Sequence, residues 1–405
     1  MKPSKESCSS MKKLQLAVFN TQPPLYLGGV ERRILETSKR LQSQVHTTVY
    51  SGTKAGLRKP TTLNGLDLVP CFSTDAAFPL DNWTFNQTLK RNASAFKADV
   101  FEAHTASGYE LVDTFRKRGL KKAFVQTIHG VLADEYAQAY LRGGLSVRGK
   151  IANLFMWQLA KKEAESAKKA TLIVTITKYS KAKIKQFYNV DPEKIRIVPN
   201  GVDTQRFTPN GDCGTIRRRI GAGNRPIVLF VGSLIPRKGV GFLVEAAKRV
   251  VKEHKETLFL IVGGGPLRNK LEADVETAGL TRNFTFVCGV SEEDLPPVYR
   301  CADVFALPSI QEGQGIVLLE AQSCGKPVVA FNVTGVRETV KNGQTGLLIN
   351  PSSDNLAEAI SRLLSDPSLR EKLGRSGREF VQKEFSWDMC AEKMLNVYRE
   401  AIDAV

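Results

Sequence analysis

The chain has 405 residues, 42% of them hydrophobic, which is too long for one ordinary core and suits two domains of similar size. No run approaches the roughly 18 apolar residues of a membrane-crossing helix, and no apolar signal segment follows the polar start MKPSKESCSSMKK. The net charge of +17 is unevenly placed: residues 1–200 hold 32 Lys and Arg against 16 Asp and Glu, and the remainder holds 26 against 25.

Residues 1–13 read as a disordered tail, and Leu14–Asn20 as a first strand. Pro23 and Pro24 then break regular structure, Gly28-Gly29 allows a tight turn, and Val30, Ile34, Leu35, Ser38 and Leu41 carry helical spacing. A strand feeding a glycine turn that opens a helix brings backbone N–H groups toward phosphate or sugar oxygens. The spacing is not GxGxxG, and a plain turn is an equal reading. Val45–Tyr50 and Leu66–Cys71 are further strands, and Trp83–Phe96 a helix. The strand Ala98–His104 ends in Glu102 and His104, and the strand Lys122–His129 ends in His129-Gly130. A lone strand-end histidine is more often structural than catalytic; two at neighbouring strand ends shift that balance. The other two, His46 and His254, read as surface positions.

Arg142–Lys169 predicts a long helix that mixes Leu154, Phe155, Trp157 and Leu159 with Lys161, Lys162, Lys168 and Lys169. It suits an acidic membrane surface, or a core-facing helix with a solvated basic face. The strand Ala170–Thr177, the basic helix Lys178–Tyr188 and the short strand Ile195–Pro199 follow, and Thr208–Arg225 reads as a linker. The pattern then restarts with strands at Pro226–Val231, Leu258–Val262, Phe284–Cys288, Val304–Leu307, Pro327–Ala330 and Thr345–Ile349. Helices alternate with them at Val240–Lys252, Leu267–Ala278, Leu295–Cys301 and Ile316–Ser323, and three more close the chain near Asp354–Leu364, Ser368–Lys383 and Trp387–Ile402. This alternation predicts parallel sheets in two Rossmann-like α/β/α domains.

In PSIQEGQGIVLLEAQSCGKPVVA, Glu312 falls in a glycine-rich loop and Glu320 inside the following helix beside apolar residues, where a carboxylate needs a partner. Two cations, Arg237 and Lys238, precede a helix start, an arrangement that opposes the helix dipole unless an anion such as a diphosphate binds there. A solvated loop is the bland alternative. The two glutamates lack an aspartate pair that would make a magnesium site, so sugar or ribose hydroxyls suit them better than a metal. Seven cysteines with no CxxC pair read as reduced thiols, and zinc is not expected. No P-loop and no GxSxG elbow occurs.

With these motifs in hand, the chain resembles the retaining glycosyltransferase family 4 (glycosyl transferases group 1), over roughly residues 14–400. The E-x7-E pattern Glu312–Glu320 carries the resemblance, supported by VGSLIPRKG, VGGGP, VPNGVDTQRFTP, TGVRETVKNGQTGLLI and GGVE. It implies the GT-B fold, two Rossmann-like domains facing each other across a cleft: residues 14–205 for the acceptor, 206–383 for the nucleotide sugar, and a helix in 384–405 that crosses back to the first domain. It further implies that Glu320 holds the ribose and Glu312 the transferred sugar near its 3- and 4-hydroxyls. Lys238, helped by Arg237, would bind the diphosphate; the N–H groups of Gly315 and Ile316 would contact phosphate or sugar. Gly28 and Gly29 would let the backbone approach the diphosphate, and His129 would lie beside the sugar, with His104 as a second donor contact. No metal and no cofactor are implied. Ser233 stands where many members have Arg, and Gln314 where many have Phe or Leu, which would alter a phosphate contact and the surface near the sugar.

The expected function is transfer of a hexose from a nucleotide sugar, GDP-mannose slightly ahead of UDP-sugars, to a lipid-linked or saccharide acceptor, by a cytoplasmic protein peripheral to an anionic membrane. Three rivals stand beside it: a soluble-acceptor synthase of the same fold, a sugar-nucleotide epimerase, and a basic nucleic-acid-binding protein. The last is suggested by charge alone, with no DNA- or RNA-binding motif behind it, so no specific nucleic-acid partner is expected.

Overall fold

The computed structural model describes residues 12–25, 28–53, 56–74, 80–141 and 147–405. The expected tail, residues 1–13, lies almost wholly outside them. The chain forms two units. The first takes the described residues up to Thr175, then Lys183–Arg196 and Ala391–Val405; the second takes Ile176–Ala182 and Ile197–Cys390.

The sheet of the first unit contains β1 (Leu14–Asn20), β2 (Val45–Gly52), β3 (Thr61–Leu63), β4 (Leu66–Cys71), β5 (Val100–His104), β6 (Ala123–Ile128), β7 (Leu172–Thr175) and β8 (Ile195–Ile197), in the order β3-β4-β2-β1-β5-β6-β7-β8. The central strands pair in parallel, and every residue of β5 and β6 is buried, as expected of a sheet covered on both faces. An antiparallel β3–β4 pair at the edge departs from the all-parallel expectation. Phe19, Phe101, Phe115 and Phe124 fill the core, with Phe101 and Phe115 meeting edge to face at 4.9 Å.

The second unit has a six-stranded parallel sheet of β9 (Ile227–Val231), β10 (Leu258–Val262), β11 (Phe284–Val287), β12 (Val304–Leu307), β13 (Val328–Phe331) and β14 (Gly346–Ile349), in the order β11-β10-β9-β12-β13-β14. Both sheets reverse direction beside their first strand. Chain order runs one way from β1 through β2 and the other way from β5; it runs one way from β9 through β10 and the other from β12. The loops that leave the two strands flanking such a point diverge, and a ligand can enter at their carboxyl ends. In the first unit these loops follow β1 and β5; in the second they follow β9 and β12.

Three sequence readings change here. The segment Thr208–Arg225 is no linker: it contains the helix Gly214–Arg219, and Ile216 and Ala222 are buried in the core of the second unit. Its charges anchor it. Arg217 donates to the carbonyls of Gly223, Arg225 and Cys301, and Arg225 to those of Glu256 and Arg282. The helix expected at Trp83–Phe96 runs Leu80–Arg91, because Asn82 and Asn86 find partners inside the fold, on Thr21 and the Ala106 carbonyl. The single long helix expected over Arg142–Lys169 is preceded by a separate one, Leu132–Leu141, and itself spans Val147–Lys169. Its start at Arg142 lies outside the described residues. Leu159, Glu163 and Ala167 of this helix are buried, whereas Leu154 and Phe155 are exposed.

Candidate functional site

In the second unit the candidate residues lie on the two loops at its switch point. After β9 the chain passes Gly232 and a short turn, Pro236–Lys238, before the helix Val240–Glu253. Gly239 joins them at φ +66°, and a Cβ there would lie 2.0 Å from the Pro308 carbonyl oxygen. Only glycine combines that conformation with that approach. The loop after β12 is thereby drawn against the cationic turn, and Ile310 N–H donates to the Arg237 carbonyl at 2.9 Å.

This stitching sets Lys238 against Glu312. The ammonium bonds Glu312 Oε1, which also accepts from Ser309 Oγ at 2.8 Å, and Arg237 Nη1 lies 3.8 Å from Oε2. Thr334 holds the backbone from behind: its hydroxyl accepts from Glu312 N–H at 3.0 Å and donates to the Glu312 carbonyl at 2.7 Å. Burial alone would push the Glu312 carboxyl up, but the neighbouring charges of Lys238 and Arg237, with the bonds from Lys238 and Ser309, hold it below the usual range. The anion that the cations required at this helix start is, in this structure, a carboxylate of the chain itself.

Three residues on, Gly315 takes φ +84° and caps the helix Ile316–Ser323 without any side-chain cap. Glu320 lies one turn into that helix and is 3% exposed; the hydroxyl of Tyr299, itself fully buried, donates to its Oε2 at 2.6 Å. Gln314 does not alter a surface near a sugar as expected. It is 2% exposed, and its amide clamps Asn200, accepting from the Asn200 N–H at 2.9 Å and donating to the Asn200 carbonyl at 3.1 Å. Ser233 is exposed on the loop after β9.

In the first unit, Gly28 is the N-cap and Gly29 the first residue of the helix Gly29–Leu41. Glu31, in the third helical position, reaches back to the Gly28 N–H, as in a capping box, and also accepts from Asn20 Nδ2 at 2.9 Å. Burial raises the pKa of Glu31 despite these bonds. The Gly28 N–H is therefore taken by a carboxylate of the chain. At the ends of β5 and β6 the two histidines meet, His104 Nδ1 lying 2.9 Å from His129 Nε2. His129 is partly exposed, while His104 is 1% exposed and offers no surface to a donor. Burial lowers the pKa of both rings, to about 4 for His104 and well below the ordinary value for His129.

The described residues contain no group of three His, Cys, Asp or Glu side chains able to hold a metal ion, and no helix long and apolar enough to cross a membrane. Sequence reasoning missed Ser309, Thr334 and Tyr299, which also bond the two glutamates. Ser309 lies three residues before Glu312 and carried a faint signal; Tyr299 and Thr334 carried none, because only the fold brings them near.

Two family patterns match the chain. The one described as Glycosyltransferase Family 4 covers residues 27–206, and the one described as Glycosyl transferases group 1 covers residues 214–380. The sucrose-phosphate synthase of Thermosynechococcus elongatus superposes with a TM-score of 0.82 over 97% of this chain and 100% of that one, at 23% identity. The chain has the GT-B fold and is related to both of these glycosyltransferase families. Among curated relatives of this GT-B-fold chain, the GDP-mannose-dependent alpha-(1-6)-phosphatidylinositol monomannoside mannosyltransferase of Mycobacterium tuberculosis is 37% identical over 214 residues, 51% of this chain and 56% of that protein. The D-inositol 3-phosphate glycosyltransferase of Acidothermus cellulolyticus is 37% identical over 251 residues, 59% of this chain and 55% of that protein. The chain thus spans just over half the length of these curated relatives.

Proposed function

We propose that this protein is a metal-independent retaining hexosyltransferase that uses a nucleotide sugar, GDP-mannose before UDP-sugars, and a lipid-linked or glycan acceptor. The observation that carries the reading is the Lys238–Glu312 pair at the switch point of the second unit, flanked by Arg237 and by a helix start without a side-chain cap. A nucleoside diphosphate leaving group gains negative charge as its bond to the sugar breaks. Lys238 and Arg237 supply the compensating charge, and the N–H groups of Gly315 and Ile316 add oriented dipoles. Glu312 bonds the sugar hydroxyls and Glu320 the ribose, while His129 lies beside the sugar.

The step balances without a metal. The acceptor oxygen forms a bond to the anomeric carbon on the face from which the diphosphate departs, and the acceptor proton passes to the departing phosphate oxygen. The products are a glycoside of unchanged anomeric configuration and a nucleoside diphosphate. Donor preference follows the name of the mycobacterial relative.

The lipid side of the proposal rests on the first half of the chain, where the charge excess lies, and on Leu154 and Phe155, exposed on the same helix as Lys161 and Lys162. That combination suits peripheral attachment at the cytoplasmic face of an anionic membrane. The test of function is calorimetry without added metal against GDP-mannose, UDP-glucose, UDP-galactose, UDP-N-acetylglucosamine and ADP-glucose. One nucleotide sugar should bind, and binding should weaken in Glu320→Ala. Failure of all five at millimolar concentration would overturn the donor reading.

A further inference from the structure

Behind His129 lies a buried polar chain to which the transferase reading gives no task. Glu102 and His104 are two apart on β5, so they share one face of the sheet; Thr127 pairs with His104 across to β6, and His129 follows two residues later. All four side chains therefore rise from the same face. Glu102, 3% exposed, is held by two hydroxyls: Thr127 Oγ1 donates to its Oε1 at 2.6 Å, and Tyr398 Oη donates to its Oε2 at 2.5 Å. Tyr398 comes from the last helix, Trp387–Asp403, almost three hundred residues away in sequence. Both of its oxygens accept hydrogen bonds, as those of a carboxylate do.

The rest follows from donor and acceptor accounting. His104 Nε2 has no hydrogen-bonding partner among the described residues, but lies 3.5 Å from Glu102 Oε1. A lone pair on that nitrogen would face an anion, whereas an N–H there is attracted to it. With its proton on Nε2, neutral His104 presents a lone pair at Nδ1, and the 2.9 Å contact to His129 Nε2 then needs an N–H from His129. We propose that Glu102 and His104 are positioning residues that fix the tautomer of His129, with its proton on Nε2 and its Nδ1 left as a hydrogen-bond acceptor.

The surroundings favour neutral rings. Burial is the largest influence on both histidines; Arg33, 1% exposed on the helix Gly29–Leu41, adds positive charge that opposes protonation of each. Glu102 acts in the other direction on His104, and burial outweighs it. In the proposed transferase site, an acceptor nitrogen can take a hydrogen bond from a sugar hydroxyl and cannot donate one, so the relay selects which hydroxyl orientation His129 accepts.

The test is a two-bond proton–nitrogen correlation spectrum of the histidine rings in the free protein at neutral pH. The chain has only four histidines, and His129→Asn assigns the one in question. We expect a pyrrole-type Nε2 and a pyridine-type Nδ1 for His129. The opposite pattern would overturn the relay, whatever the fate of the transferase reading, because the measurement uses no substrate. Glu102→Gln can turn an amide N–H toward His104 and should shift His129 toward the Nδ1–H form. It should also lower kcat about tenfold, the scale of one mispaired hydrogen bond, with the donor KM changed less than twofold. Tyr398→Phe keeps the carboxylate and should keep the wild-type tautomer. A Glu102→Gln protein that folds but leaves both the tautomer and kcat unchanged would also refute the proposal, and if that variant does not fold, the wild-type spectrum still decides.

Discussion

Lys238→Ala tests the physical core of the site without any knowledge of its substrate. The substitution leaves Glu312, whose side chain is 7% exposed, without the cation that bonds it. Removing one partner of a buried ion pair costs about 3–5 kcal/mol. Here Ser309 and Arg237 remain, the latter 3.8 Å away and 40% exposed, so the loss should be about 2–3 kcal/mol at pH 7. The pH dependence is more diagnostic than the size. In the wild type Glu312 titrates below its ordinary value of 4.5, so its contribution is present above that pH and is lost as the pH falls through the folded value. In the variant burial dominates, the folded pKa rises above 4.5, and ionisation becomes a cost that acidification relieves. Urea unfolding of both proteins between pH 7 and pH 4 should therefore show a stability gap that narrows as the pH falls. A gap that is absent, or that stays constant across the range, would refute the account of a buried carboxylate held ionised by Lys238.

Glu320→Ala should weaken nucleotide-sugar binding in calorimetry and also lower stability by about 1–3 kcal/mol, because the buried hydrogen bond from the Tyr299 hydroxyl is lost. Tyr299→Phe in the same background should recover part of the stability but none of the binding. Gln314→Leu removes both bonds to the Asn200 backbone and should cost about 2–3 kcal/mol in urea unfolding; donor preference should not change, since the side chain faces Asn200. Sedimentation with liposomes should recover the protein with anionic vesicles and not with neutral ones, and 0.5 M salt should weaken that binding, as about 4 Å of screening length leaves little surface attraction. Equal weak binding to both vesicle types would remove the membrane half of the proposal.

The elements of the second unit were largely legible in the chain. Its helix Ile316–Ser323 and its strands β10 and β12 are bounded by glycines, prolines and charged residues, and their apolar runs leave little choice of state. Local signals of that kind also exposed Glu312, Glu320, Lys238 and the two strand-end histidines as residues with chemistry to perform. They failed where charge stood for anchoring instead of solvation. The arginines of Thr208–Arg225 looked like a linker because sequence does not say which carbonyls they reach.

What the tertiary structure alone decided is pairing. That Lys238 is neutralised by Glu312 depends on β9 and β12 being neighbours in the sheet, and on the bare backbone of Gly239 against Pro308. That Glu31 occupies the Gly28 N–H, that Gln314 turns onto Asn200, and that Tyr398 reaches Glu102 are contacts between groups whose separation in sequence ranges from three residues to 296. The sequence by itself determined which segments are strands and helices and which side chains are unusual for their setting, because those depend on local sterics and periodicity. The partner of each buried charge was settled by the fold, because a carboxylate or imidazole out of water takes whatever donor the packed chain brings within about 3 Å of it.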